Sequence, residues 1–239
     1  MGSNIVLRAA VIVVSGLACF TGGRPNKKLK VLNEKIILAR AGLDSALQES
    51  ALADNKSASV SLTCVLKPSE FNSSGGAGHT LLDDGSVLLQ DDSPDLDTYS
   101  VTVTLGPEPV VGFLLEALTD PSLPGTGPGR GDAARPNFVL NSFEARLAIR
   151  ADDTTSKSIP LTDARADFSQ KNFDVANAID SDLKSGWAIG PQFKRSHWAA
   201  FRIALPNDLT GEEQIHFRLV QNFGSARTIG RFRLHLFKR

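Results

Sequence analysis

Two stretches near the end of the sequence alternate apolar and polar residues with a period of two. In Gln214–Gln221, Ile215, Phe217 and Leu219 share one face while His216, Arg218 and Val220 share the other. Over 231–237, Phe232, Leu234 and Leu236 oppose Arg231, Arg233 and His235. Successive side chains of a strand point to opposite faces, so this period belongs to strands with one buried face and one wet face. Antiparallel sheets offer that environment, whereas parallel sheets are covered on both sides. Shorter apolar runs at 59–66, 85–90, 98–105, 110–118, 138–149 and 198–205 read as further strands. They are punctuated by the turn signals Asp84-Gly85, Ser93-Pro94 and Gly106-Pro107. No long helical pattern interrupts them, so the expected fold class is mainly β, an antiparallel sandwich or barrel. Within 59–66, Val60, Leu62, Cys64 and Leu66 fall on one side, which predicts a buried, inert Cys64.

The N-terminal quarter has a different character. Arg8 precedes an uncharged run of twelve residues, Ala9 to Phe20. That is short of the roughly twenty a membrane span needs and suits a signal peptide, with Gly16 and Ala18 as the small residues before Cys19. Residues 1–20 are therefore expected to be a signal peptide or a membrane anchor, and the chain to be exported. Over 27–55, Leu29, Leu32, Ile36, Ala39, Leu43 and Ala46 recur at three- and four-residue steps, the stripe of an amphipathic helix. The β module is expected to occupy 59–239.

Charge and cysteine usage exclude several partners. Twenty-six basic residues balance twenty-six acidic ones, leaving no global field to hold nucleic acid. The two cysteines form no C-x-x-C-H and no zinc-ligand spacing, so no haem is expected. The four histidines never fall at i,i+4 metal spacing, and no nucleophile elbow occurs, which points away from intrinsic catalysis.

Four segments carry candidate chemistry. Gly125-Thr126-Gly127-Pro128-Gly129-Arg130-Gly131 lacks the lysine and hydroxyl of a nucleotide loop, and Pro128 removes a backbone donor. It reads as an ordered strand connection in which Arg130 meets a carboxylate or a carbonyl. In Ala178-Ile179-Asp180-Ser181-Asp182-Leu183-Lys184-Ser185, the side chains of Asp180, Asp182 and Ser185 supply oxygens, and backbone carbonyls near Asn177 can complete a calcium shell. The same carboxylates serve equally as Asx-turn acceptors without metal. Asp83, Asp84, Asp91, Asp92, Asp95 and Asp97 read as turn chemistry, with a second cation site as the other option. Arg195-Ser196-His197-Trp198 gathers a cation, an imidazole and an indole, groups that suit a sugar, or else Trp198 opens a core strand. Asn222 and Arg227, on the connection before the last strand, are further ligand candidates.

The order of several motifs resembles one extracellular module. Asp84-Gly85-Ser86-Val87-Leu88, Leu115-Glu116-Ala117-Leu118, Asp120-Pro121-Ser122-Leu123-Pro124, Gly127-Pro128-Gly129-Arg130, Asn137-Phe138-Val139-Leu140, Gly186-Trp187-Ala188 and Gly230-Arg231-Phe232-Arg233-Leu234 resemble the β-sandwich module of planctomycete cytochrome-c-type multidomain proteins. More distantly, Ala178 to Trp187 is similar to the signature loop of discoidin-type, galactose-binding-like domains. That resemblance implies a jelly-roll sandwich, a structural calcium at the loop positions Asp180, Asp182 and Ser185, and a Trp187 packed beneath it; with the backbone near Asn177 these are the candidate metal positions. Ser181 stands where those domains have glycine, and Ser185 where they have threonine. The function expected is a non-catalytic carbohydrate-binding or cell-surface recognition module, with Arg195, His197, Trp198, Asn222 and Arg227 toward the ligand. The alternative is an assembly subunit that meets a surface protein rather than a glycan.

Overall fold

The structure, a computed structural model, describes residues 61–107, 109–148, 156–203 and 213–238. The expected signal or anchor at 1–20 and the expected helix at 27–55 lie outside the described residues. In chain order the strands are β1 Ser61–Leu66, β2 Glu70–Ser73, β3 His79–Leu81, β4 Val87–Leu89, β5 Asp97–Thr104, β6 Val110–Ala117 and β7 Val139–Leu140. They continue as β8 Ser142–Ala148, β9 Lys157–Ser158, β10 Leu161–Ala166, β11 Trp187–Ala188, β12 His197–Ile203, β13 Gln214–Gln221 and β14 Arg231–Lys238. Among the described residues the only helical elements are two short 3-10 turns, Pro124–Thr126 and Val175–Ala178.

All strand pairs are antiparallel. A seven-stranded sheet runs β10-β12-β6-β14-β4-β3, with β1 also paired to β14. A five-stranded sheet runs β2-β5-β13-β8-β9, and β7 pairs with β11 apart from both. The two large sheets form a sandwich, because their inner faces share one core. Ring pairs cross between them: Phe113 meets Phe217 edge-on at 4.8 Å, Phe143 meets Phe201 at 4.8 Å, and Tyr99 stacks on Phe232 at 5.9 Å.

The alternation read from the sequence explains this packing. Ile215, Phe217 and Leu219 are buried from β13, and Phe232, Leu234 and Leu236 from β14. Two expectations are corrected. The apolar run 138–149 is not one strand: Asn141 separates β7 from β8, which pair with different partners. Cys64 is exposed rather than buried. It lies in β1, which has a single neighbour and an irregular register between Ser61 and Cys64.

The Gly-rich segment is an ordered connection. Gly129 bridges to Ile229, and a Cβ there would collide with the carbonyl of Asn137, so only glycine permits the close approach. Arg130 is buried, and its Nη2 donates to the carbonyls of Gln90 at 2.7 Å, Asp91 at 3.2 Å and Asp92 at 3.2 Å. This fulfils the carbonyl half of the expectation.

The acidic residues at 83–97 act as turn and pairing groups. Asp97 accepts from the hydroxyls of Ser73 at 2.6 Å and Ser74 at 3.2 Å and from the Gly75 N–H at 2.9 Å. Asp84 accepts from the Ser86 N–H at 3.0 Å and from Arg231 at 2.7 Å. Arg231 also pairs with Asp120 at 3.0 Å, and Arg233 bridges Asp84 at 3.2 Å to Glu116 at 2.7 Å. The His235 Nε2 lies 2.6 Å from the same Glu116 oxygen. Burial alone would raise the Glu116 pKa, but hydrogen bonds from His235 and Arg233 and their charges outweigh it and hold the carboxyl at about 2. Burial also opposes ionisation of Asp84 and Asp120. Their bonds from Ser86 and Ser122, with the charge of Arg231, win and lower both.

Candidate functional site

The register places most of the long connections at one end of the sandwich. Strands β6, β10 and β4 end there, and β12 and β14 begin there, since Ala117 pairs with both His197 and Phe232, Ala166 with Ala199, and Leu88 with Arg231. In the second sheet, Gln221 pairs with Asp97 and Val220 with Ser142 at the same end. The connection from β13 to β14 ties the two sheets together at that point. Connections 90–96, 118–138, 167–196 and 222–230 thus share one end, and every sequence-predicted site residue lies in them or borders them. Displaying loops on a rigid scaffold is how such sheets carry binding residues.

The candidates divide into three groups. Arg195, His197 and Trp198 meet at Asp167. Its carboxylate lies 3.2 Å from Arg195 Nη2, 3.0 Å from His197 Nδ1 and 3.0 Å from the Trp198 backbone N–H. His197 is corrected from ligand candidate to structural residue. It is 1% exposed, and its Nε2 lies 2.7 Å from the Gln192 carbonyl, so both ring nitrogens are engaged inside the chain. The strand begins at His197, one residue earlier than its apolar run, and alternation turns that side chain toward the core with Ala199 and Phe201. Trp198 occupies the opposite face, half-buried beside Glu116, and Arg195 is exposed.

Asn222 and Arg227 flank a residue that the sequence reading passed over, Phe223. Its side chain is 43% exposed, edge-on to Phe173 at 5.7 Å, with the Arg227 guanidinium 5.1 Å from the ring centroid. Gly224, at φ 91°, supplies the left-handed backbone that turns the chain directly after Phe223.

The third group is the loop from Asn177 to Ser185. Asp180 Oδ1 accepts from the Asp182 N–H at 2.8 Å, and Asp182 Oδ1 from the Lys184 N–H at 2.9 Å, as Asx turns require. The remaining oxygens converge. Ser185 Oγ lies 2.9 Å from Asp180 Oδ2, 2.9 Å from the Asp182 carbonyl and 3.3 Å from the Asn177 carbonyl. A hydroxyl has one proton, so it can donate to one of these three acceptors. The Asp182 carbonyl also accepts from the Ser185 N–H at 3.0 Å, so the four oxygens share two hydrogens; they are the oxygens of this loop that a hard cation would take as ligands. Asp182 would contribute its carbonyl, because its side chain is used in the turn. Among the described residues, no three His, Cys, Asp or Glu side chains gather in a metal cluster.

Ser181 makes the tight turn at φ 68°, a left-handed conformation that costs a serine more than a glycine. Ser181→Gly should therefore raise stability by up to about 1 kcal/mol, the relief of strain less the added entropy of the unfolded chain. A urea midpoint that fails to rise would show that the serine conformation is unstrained. Beyond the loop, Trp187 is fully buried, edge-on to Phe138 at 5.1 Å, and donates from Nε1 to the Phe168 carbonyl at 2.9 Å.

One buried carboxamide joins the last two groups. The Asn141 Nδ2 donates to the carbonyls of Leu183 at 3.2 Å and Ser185 at 2.7 Å, while its Oδ1 accepts from the Asn222 N–H at 2.6 Å. The oxygen-rich loop and the Phe223 loop are thereby held by opposite ends of one side chain. The sequence offered no signal for Asn141 beyond a polar residue inside an apolar run.

Comparison with known proteins adds little. No protein-family model matches the chain, and no curated protein matches it. A solved structure from work on the promiscuous specificity of carbohydrate-binding modules of the β-sandwich superfamily is similar at 9% identity and a TM-score of 0.29. The likeness covers 70% of this chain and 54% of that one, so this chain spans about half its length.

Proposed function

We propose that this chain is a non-catalytic glycan-recognition module, a galactose-binding-like jelly roll that works outside the cytoplasm and binds through the loop-bearing end of its sandwich. The observation that carries the reading is Phe223. A large ring left 43% exposed at a loop tip, braced edge-on by Phe173 and flanked by a guanidinium, offers what a pyranose ring needs. That is an apolar surface for its C–H groups beside donors for its hydroxyls. Asn222 is exposed next to it and adds a carboxamide. Trp198 and Arg195 lie at the same end and form a second, weaker contact region, with Asp167 holding Arg195 in place.

Loop 177–185 serves this surface as a calcium-organised support, with ligands from the Asn177 and Asp182 carbonyls, Asp180 Oδ2 and Ser185 Oγ. A cation that binds only the folded chain stabilises it according to its occupancy. Millimolar calcium should raise the thermal midpoint of the wild-type chain by several degrees, and Asp180→Ala should abolish the rise. An unchanged midpoint for the wild type would remove calcium from the account. Binding itself is tested on a glycan array with the full chain, with and without a chelator. A positive array signal that survives in Phe223→Ala would move the site elsewhere.

A further inference from the structure

From the unpaired guanidinium of Arg227 we propose that the ligand is an acidic glycan, recognised through the carboxylate of a uronic acid residue. This rests on the glycan reading above and goes further by naming the chemical class. The other described arginines are all engaged within the chain. Arg135 pairs with Asp132, Arg195 with Asp167, Arg218 with Glu144, and Arg231 and Arg233 with the acids around Asp84. Arg130 is spent on backbone carbonyls, Arg146 bonds Ser156, Arg165 pairs with Asp163, and Arg202 has an interaction of its own. The Arg227 side chain makes no hydrogen bond and no ion pair among the described residues, and its guanidinium lies over the Phe223 ring.

The free guanidinium is not an orphan of the interior. Arg227 is half-buried, and the buried polar atoms without a partner are Arg130 Nη1 and Gln221 Nε2, so the donors of Arg227 face solvent. Its backbone is fixed at both ends, the N–H donating to the Gly224 carbonyl at 3.3 Å and the carbonyl accepting from Val139 at 2.9 Å. A guanidinium held against a ring has lost much of its rotamer freedom before any ligand arrives. What it presents is a planar fork of N–H donors, the shape that a carboxylate accepts in two parallel bonds. A neutral sugar hydroxyl uses one donor and leaves the charge unanswered. A uronic acid supplies both parts of the match, an apolar ring face for Phe223 and a carboxylate for Arg227.

The test uses the full chain and oligosaccharides of galacturonate, of glucuronate-bearing xylan and of alginate, each beside its carboxyl-reduced counterpart. These pairs match in ring and linkage and differ in charge. Titration calorimetry should show at least one acidic member binding tenfold or more tighter than its reduced form. Arg227→Gln should erase that difference while leaving the reduced form's affinity within about twofold. Arg227→Lys should recover only part of it, since a lysine is a point charge without the fork. Phe223→Ala should weaken both forms. Equal affinity for acid and reduced forms, or an acid preference unchanged in Arg227→Gln, would overturn the proposal and leave glycan recognition standing. Preference for sulfated over carboxylated sugars would also overturn it. Failure to bind any glycan on the array would remove the underlying reading and this inference together.

Discussion

Phe223→Ala is expected to cut ligand affinity a hundredfold or more while leaving the fold intact. Phe223 is the one aromatic among the exposed large hydrophobic residues described, and the Arg227 guanidinium lies over its ring without a hydrogen bond or ion pair of its own. Truncation therefore removes a stacking surface and frees the guanidinium beside it. Central aromatic and arginine residues are where binding energy concentrates, at about 2 kcal/mol or more each, and a hundredfold is about 2.7 kcal/mol. Phe223 is 43% exposed and its ring contacts are Phe173 and Arg227, so the thermal midpoint should shift little. Calorimetry on the variant checks the first part and a melting curve the second. Affinity within threefold of wild type would place the ligand elsewhere, with Trp198 the next residue to replace.

The second large effect is acid instability centred on Glu116. Its folded-state pKa of about 2 lies below the ordinary value of 4.5. A depressed carboxylate contributes stability that is fully present above the unfolded pKa and is lost as pH falls through the folded one. The window therefore runs from about pH 4.5 down to about pH 2, and the loss from this residue is about 2–3 kcal/mol. Asp84 and Asp120 are shifted in the same direction and add to it. Glu116→Gln should be less stable than wild type at pH 7, because Arg233 and His235 lose the negative charge they share and face an amide in its place. It should also show a shallower fall in stability between pH 5 and pH 2. Parallel pH profiles for the two proteins would contradict the assignment.

The strands were readable where one face is wet. Gln214–Gln221 coincides with its sequence reading because Ile215, Phe217 and Leu219 pack inward against solvent-facing Arg218. Strand β10, Leu161–Ala166, was missed. It is a half-exposed edge with a register irregularity between Thr162 and Arg165 and Asp163 at φ 49°, so no period of two survives there. The break at Asn141 was hidden because Val139, Leu140, Ser142 and Phe143 around it are all buried, so no exposed turn residue marks the boundary.

The site was legible in part, for reasons of the same kind. Asn222 and Arg227 were picked out by type, and the fold brings them together around a phenylalanine that no periodicity marks. His197 was chosen for its chemistry, yet as the first residue of β12 it falls on the buried phase of the alternation. The loop from Asn177 to Ser185 was visible because oxygen-bearing side chains cluster in sequence. Its backbone oxygens, and the link through Asn141 to Asn222, arise only when distant segments meet in the fold. Asp167 is the same case, a single carboxylate that gathers Arg195, His197 and Trp198 across about thirty residues.

The central claim is that the loop-bearing end recognises glycans through Phe223. The most direct measurement is a glycan array probed with the full chain and with Phe223→Ala, in calcium and in chelator, spanning neutral, uronic and sulfated sugars. The account predicts binding by the wild-type chain that is strongest among uronic sugars, weakened by chelation and absent in the variant. Binding that is indifferent to Phe223→Ala, or no binding to any sugar by a folded wild-type chain, would contradict it.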